Sequence, residues 1–300
     1  VRQVVFYDWG VGSYYAQAMG GAVGLGIRKN IKDCYRFIVQ NYNPGDEIWL
    51  FGFSRGAYTV RCLAGMLNKC GILTRRNAER IPEAFDFYKK SKMKPSDAGS
   101  GRWRRKRCHG ADRGPVTFIG VWDTVGSLGA PTRVLAFMDE KDLFYDQEPG
   151  SNVNVARHAV AIDERRSDFA PTLWGDKAAV DMKQVWFTGV HSDVGGGYAP
   201  DRQGRLLSDI PLAWMAGQAT AFGLEFERHL YVKSKLDFRA PKHRSYKRYW
   251  KVLGRSRREI PADAVMHRSV FNRFRDADYA PAQLRNWLEA RGGDWGTLEP

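Results

Sequence analysis

Three side chains in this sequence have the chemical types of a nucleophile, an orienting acid and a general base, and each follows an apolar run. Ser54 lies in Gly52-Phe53-Ser54-Arg55-Gly56, a G-x-S-x-G pattern behind Glu47-Ile48-Trp49-Leu50-Phe51 and ahead of a helical pattern that begins at Arg55. That context is what a nucleophile elbow requires. A sharp strand-to-helix turn holds the serine in a strained backbone and presents its hydroxyl, and small neighbours let the chain pack closely. The helix N-terminus offers unpaired N–H groups and a positive dipole end, so the amide of Arg55 is placed to hold an oxyanion. The bland alternative is a tight turn with a capping serine.

Asp123 closes the run Thr117-Phe118-Ile119-Gly120-Val121-Trp122, and His191 closes Val185-Trp186-Phe187-Thr188-Gly189-Val190 ahead of Ser192-Asp193-Val194-Gly195-Gly196-Gly197-Tyr198. A carboxylate at a strand end is costly unless something charged or hydrogen-bonded receives it, which favours an orienting acid over a turn cap. An imidazole there can take the serine proton and return it to a leaving group. Asp193 and Asp163 are the reserve acids, with Asp163 beside Arg165 and Arg166 reading as a structural ion pair. The remaining histidines read as satisfied or solvated: His158 and His229 in helical patterns, His109 and His243 in basic segments, and His267 beside Arg268. His191 with Asp193 supplies only two metal ligands, so no metal is expected, and no cofactor.

The elements that must position these groups alternate. Val4-Val5-Phe6-Tyr7 reads as a buried strand feeding the loop Asp8-Trp9-Gly10-Val11-Gly12. A helix is expected over Ile27 to Tyr42, a strand over Glu47 to Phe51, a helix from Arg55 to Cys70, strands over Thr117 to Trp122 and Val185 to Val190, and helical stretches over Val153 to Ile162 and Ile210 to Phe222. This order predicts an α/β fold with a mostly parallel sheet covered by helices, in which ligands bind beyond the carboxyl ends of the strands. Serine, aspartate and histidine, in that chain order, each stand at such an end.

Composition bounds the rest. With 300 residues, 43% hydrophobic and 27% charged, the chain is expected to fold as a single globular domain over 1–300, catalytic on the strength of Ser54, Asp123 and His191, and collagen, disorder and disulfide miniproteins are excluded. Cys34, Cys62, Cys70 and Cys108 form no C-x-x-C pair and read as reduced thiols. No apolar run is long enough to span a membrane, and the start Val1-Arg2-Gln3 has no signal-peptide pattern, so a cytoplasmic location as synthesised is expected. The absent initiator Met indicates processing or an N-terminal piece outside the numbered sequence. The net charge of +14 is concentrated: Lys89 to Arg107 holds nine basic residues against Asp97, and Lys242 to Arg258 holds eight against no acid. Both read as basic insertions, at about 89–114 and 242–258, on a nearly neutral fold.

Gly52-Phe53-Ser54-Arg55-Gly56-Ala57-Tyr58, Val121-Trp122-Asp123-Thr124-Val125-Gly126 and His191-Ser192-Asp193-Val194-Gly195-Gly196-Gly197-Tyr198 together resemble the motifs of the α/β-hydrolase family that contains the first class of type VI secretion lipase effectors. Tyr7-Asp8-Trp9-Gly10-Val11-Gly12, Ala156 to Arg166, and His267-Arg268-Ser269-Val270 resemble further segments of that family, so the likeness covers most of the chain. The resemblance implies an α/β-hydrolase-like bacterial serine esterase, in characterised members a phospholipase, with Ser54, Asp123 and His191 on the triad positions and export by a type VI route open to it. The family usually starts with a strand ending in Asp-Gly-Thr ahead of the region matching Val4. This sequence starts after it, so that strand and an oxyanion donor are expected to be missing.

Lipid or another acyl ester is the expected substrate, with secretion and immunity partners left open. Arg102, Trp103, Arg104, Arg105, Lys106 and Arg107 form a basic run with one aromatic, expected to meet an anionic membrane surface; nucleic acid is not the expected partner. The competing reading is a catalytically inert hydrolase fold that grips anionic polymer or membrane through this run and through Tyr246, Tyr249 and Trp250 among Lys247, Arg248 and Lys251.

Overall fold

The computed structural model describes residues 2–9, 23–110, 112–125, 148–175, 179–227, 236–246, 254–276 and 279–300. The chain adopts the α/β class expected from its alternation. Five parallel strands lie in the order β1 (Trp49–Phe53), β2 (Val116–Trp122), β3 (Val153–Ala161), β4 (Asp181–Phe187) and β5 (Val265–Met266). The sheet is flanked by α1 (Val23–Asn41), α2 (Arg55–Cys70), α3 (Ile81–Lys90), α4 (Ala98–Arg107), α5 (His191–Gly195), α6 (Asp209–Ala221), α7 (Arg268–Asp276) and α8 (Ala282–Ala290). Parallel neighbours need long crossovers; among the described residues, α2, α3 and α4 lie between β1 and β2, and α5 and α6 between β4 and β5.

The chain forms two compact units. The first comprises Val1–Ile119, Thr132–Ala156 and Trp174–Met182. Here α1 turns Ile27, Ile31, Tyr35 and Ile38 inward at three- and four-residue spacing, the stripe that its sequence predicts. α2 packs against β1, α1 and α3, and every residue from Ala57 to Cys70 is buried. Its charged side chains are provided for locally. The Lys69 ammonium donates to the carbonyls of Tyr88 (3.2 Å) and Ser91 (2.6 Å), and the Arg61 guanidinium lies over the Trp174 ring at 4.9 Å, with burial pulling its pKa down to about 10.

The second unit comprises Gly120–Pro131, Arg157–Leu173 and Lys183–Pro300. Its core gathers Val160, Ile162, Trp186, Met266, Leu284 and Trp287.

Three local expectations are corrected. Val153 to Ile162, read as helical, is β3, with every residue but Asn154 buried along its length. A strand covered on both faces carries a near-continuous apolar run, which periodicity cannot tell from a buried helix. His158 therefore sits in a strand, where its Nε2 accepts the Thr124 N–H (3.2 Å) and its Nδ1 meets Gln184 Oε1 (3.3 Å). Val4 to Tyr7, read as a buried strand, lies outside the five strands with its side chains exposed, Val5 at 83%, and Phe6 stacks on Phe37 of α1 at 5.1 Å. β-branched and aromatic residues favour a strand only where a neighbouring strand and a packed face receive them, and the sheet does not extend to this run.

The basic stretch at 102–107 is helix α4 and is not uniformly exposed. Trp103 is buried against Phe87 (4.7 Å, nearly coplanar), and the Arg107 guanidinium lies over its ring at 4.1 Å while bonding Glu83. Arg104 is buried too and donates to the carbonyls of Lys69 (2.9 Å) and Pro95 (3.0 Å). Only Arg102, Arg105 and Lys106 of the run face outward. Tyr249 and Trp250 lie outside the described residues.

Candidate active site

β1 ends at Phe53 and α2 starts at Arg55, which leaves Ser54 alone to turn the chain. It does so at φ 58° and ψ −121°. Among the described residues, Ser54 and Asp123 (φ 43°) are the only non-glycine residues at positive φ. Such backbone costs about 1–3 kcal/mol per residue and persists where the surroundings impose it. The turn explains one glycine of the motif and not the other. A Cβ on Gly52 would lie 2.5 Å from the Gly56 carbonyl oxygen and 2.7 Å from the Ala57 nitrogen, whereas one on Gly56 would meet nothing within 4 Å. We therefore expect Gly52→Ala to lower stability by about 1–3 kcal/mol through overpacking against backbone, and Gly56→Ala to change it little, as read by urea unfolding of both variants.

Arg55, assigned as oxyanion donor, is the first residue of α2, so its amide belongs to the unpaired first turn. The hydroxyl of Thr59 donates back to the Arg55 carbonyl at 3.0 Å.

In the second unit, Asp123 and His191 come together. Asp123 follows β2 directly, and its Oδ2 lies 2.6 Å from His191 Nδ1, with both side chains buried. The carboxylate receives more than the imidazole. Its Oδ1 accepts the Ala161 N–H at 2.9 Å, and Arg258 grips both oxygens, Nη1 to Oδ1 at 2.5 Å and Nη2 to Oδ2 at 2.8 Å. Burial alone would push the Asp123 carboxyl up. The Arg258 charge and the hydrogen bonds of His191 and Arg258 overcome that and hold it well below the usual carboxylate range. Burial pushes His191 down; the Asp123 bond opposes this, and the Arg258 and Arg166 charges add to it, leaving the imidazole below its ordinary value.

The turn that carries His191 is held by three carboxylates. Consecutive amides donate to different acids: Gly189 to Asp163 Oδ2 (2.8 Å), Val190 to Asp193 Oδ2 (3.0 Å) and His191 to Glu164 Oε2 (3.2 Å). Gly189 must be glycine, since it stands at φ 115° and a Cβ would lie 2.4 Å from that of Asp193. Each acid is in turn met by one stretch of chain. Lys242 Nζ reaches Asp163 (3.1 Å), His243 Nδ1 reaches Asp193 (2.6 Å), and Ser245 Oγ reaches Glu164 (2.7 Å). Arg166 also binds Glu164 at 3.0 Å, and against the upward push of burial its bonds help bring that carboxyl down to about 2.

The reserve acids thus have other work. Asp193 binds His243 and caps its own short helix, and Asp163 binds Lys242, the Gly189 amide and the Tyr279 hydroxyl (2.9 Å) rather than its sequence neighbours Arg165 and Arg166. The segment at 242–258, read as a basic insertion, sends Lys242, His243, Ser245 and Arg258 inward to these acids. Sequence reasoning missed Arg258. The available signal was the demand, already made for Asp123, that a strand-end carboxylate be received by a charge.

Comparison with known proteins adds family relationships. Residues 1–218 match the model described as T6SS, Phospholipase effector Tle1-like, catalytic domain. A protein of Saccharomyces cerevisiae, "Uncharacterized protein YEL023C", is 26% identical over 190 residues, 56% of this chain and 27% of the yeast protein. Among solved structures, the Tle1 effector bound to the VgrG spike from the type 6 secretion system is 22% identical with a TM-score of 0.35, covering 60% of this chain and 33% of that one. An uncharacterized protein from Pseudomonas aeruginosa is 21% identical with a TM-score of 0.35, covering 70% and 29%. The matched stretch amounts to 27% of the length of the yeast relative and 33% and 29% of the two solved chains.

Proposed function

The chain belongs to the T6SS Tle1-like phospholipase effector family by its catalytic domain, and from that premise we propose that it is a serine carboxylic-ester hydrolase acting on acyl esters of lipid. Ser54 Oγ attacks the acyl carbon as His191 Nε2 takes its proton, giving a tetrahedral oxyanion held by the Arg55 amide and a second donor. Collapse expels the alcohol, which takes the proton back from His191. Water, deprotonated by the same imidazole, then releases the acid and restores Ser54. Asp123 on Nδ1 fixes the tautomer in which Nε2 is the base and stabilises the imidazolium as it forms.

One observation carries this reading. The two non-glycine residues at positive φ among those described are the nucleophile and the acid that the sequence singles out, and strain of that kind gathers at working sites. The lipid substrate rests on the family. Arg102, Arg105 and Lys106, outward on α4, are the charges that would meet an anionic bilayer, each contributing about 1 kcal/mol within a Debye length. Among the described residues no helix is long and apolar enough to cross one.

The test is release of fatty acid from anionic phospholipid vesicles, at low and high salt, beside hydrolysis of a short soluble ester, with and without a serine-reactive fluorophosphonate. We expect both activities to be blocked by the probe, with labelling at Ser54, and only the vesicle activity to fall with salt. Hydrolysis of neither ester would remove the enzymatic reading, and hydrolysis of the short ester alone would remove lipid as substrate.

A further inference from the structure

We infer that Arg258 is a positioning residue for the proposed hydrolysis: its planar fork locks both oxygens of Asp123 and so sets the carboxylate against His191 Nδ1, with a cation behind the acid–base pair. The inference rests on the Ser54–His191–Asp123 reading and extends it to a residue 135 positions from the acid.

The geometry is that of a built contact. Arg258 is 6% exposed, and its two terminal nitrogens make four bonds: to Asp123 Oδ1 and Oδ2, to the Ala161 carbonyl (2.6 Å) and to the Phe169 carbonyl (2.7 Å). The last two tie the guanidinium to the chain that follows and ends β3, so it cannot swing without breaking backbone contacts. A bidentate guanidinium–carboxylate pair fixes the plane of the carboxylate, which a single-point donor does not. With Asp123 held in that plane, Oδ2 lies 2.6 Å from Nδ1 without freedom to rotate away.

The charge has a separate consequence. A carboxylate alone beside an imidazole favours the imidazolium and would hold the base protonated near neutrality. Arg258 offsets that attraction. The other charges facing His191 are Glu164, which accepts its backbone N–H, and Arg166, whose guanidinium lies 3.3 Å from the centre of the Phe169 ring; that ring meets the imidazole edge-on at 4.9 Å. Asp193, two residues along, is engaged by His243. Arg258 is the cation bonded to Asp123 itself. Its removal should therefore raise the affinity of His191 for a proton, and activity, which needs the neutral base, should be lost at higher pH than in the parent.

Arg258→Gln removes the charge and Arg258→Lys keeps it without the fork. Two readouts are taken on each full-length protein: the pH dependence of kcat/KM on a short soluble ester, and the proton titration of the His191 imidazole by NMR. For Gln we expect both to move up by about one pH unit, with plateau turnover down about tenfold. For Lys we expect the titration to stay at the parental value while the plateau falls. A parental titration in Arg258→Gln overturns the inference. If circular dichroism shows Arg258→Gln to be unfolded, Lys decides alone, and parental plateau turnover there overturns the inference. The NMR titration needs no turnover, so the two readings fail separately. An inactive parent with a shifted His191 sinks the triad, and an active parent whose His191 ignores residue 258 sinks the role of Arg258.

Discussion

Ser54→Ala is expected to lower ester turnover by a factor of about 10⁴ to 10⁶, to the residue left by binding and the oxyanion donors alone. Fold should survive. The hydroxyl contributes little to the elbow, whose shape comes from β1, α2 and the close approach of Gly52 to the Gly56 carbonyl. Alanine at φ 58° suffers the same backbone strain as serine, so Ser54→Ala should melt near the parent. Glycine does not, and Ser54→Gly should be as inactive as Ser54→Ala yet more stable than it by about 1 kcal/mol. Thermal unfolding of the three proteins beside their turnover separates the two costs. Retained turnover in Ser54→Ala would end the assignment of the nucleophile.

His191→Ala should cost about as much, about 10⁴-fold or more, and adding Ser54→Ala to it should cost little further, because nucleophile and base serve one step. Additive losses would mean that His191 acts in a different step. The substitution empties a buried position against Phe169, but it does not strand the acid. Asp123 keeps both bonds from Arg258 and the Ala161 N–H, so a buried carboxylate remains paired. Circular dichroism and gel filtration of His191→Ala should accordingly match the parent.

What the sequence disclosed follows a physical line. The strand ends that precede the candidate residues Ser54, Asp123 and His191 were legible because short apolar runs that end in glycine-rich or polar turns mark them, and ligands of α/β folds bind beyond such ends. α1 and α2 were legible because one side of each is polar enough, in sequence, to show a period. β3 was not, since burial on both faces erases the alternation that identifies a strand. Val4 to Tyr7 had the composition of a strand, but its neighbour in a sheet is not a property of those four residues. Arg258 and Lys242 were hidden differently. In a run of eight basic residues each cation looks like the next, and only the acids of distant segments distinguish the inward ones. Trp103 and Arg104 misled for the same reason.

The complete burial of Ala57 to Cys70 bears on how the chain comes apart. A helix with no face to solvent cannot fray along its flank, so its amides exchange hydrogen only through openings that also release β1, α1 and α3. The serine thus stands at the head of a fully packed helix, whereas the proposed base hangs from a five-residue turn held by three carboxylates and a few backbone bonds. Partial unfolding should therefore silence this protein by misplacing His191 while Ser54 is still mounted.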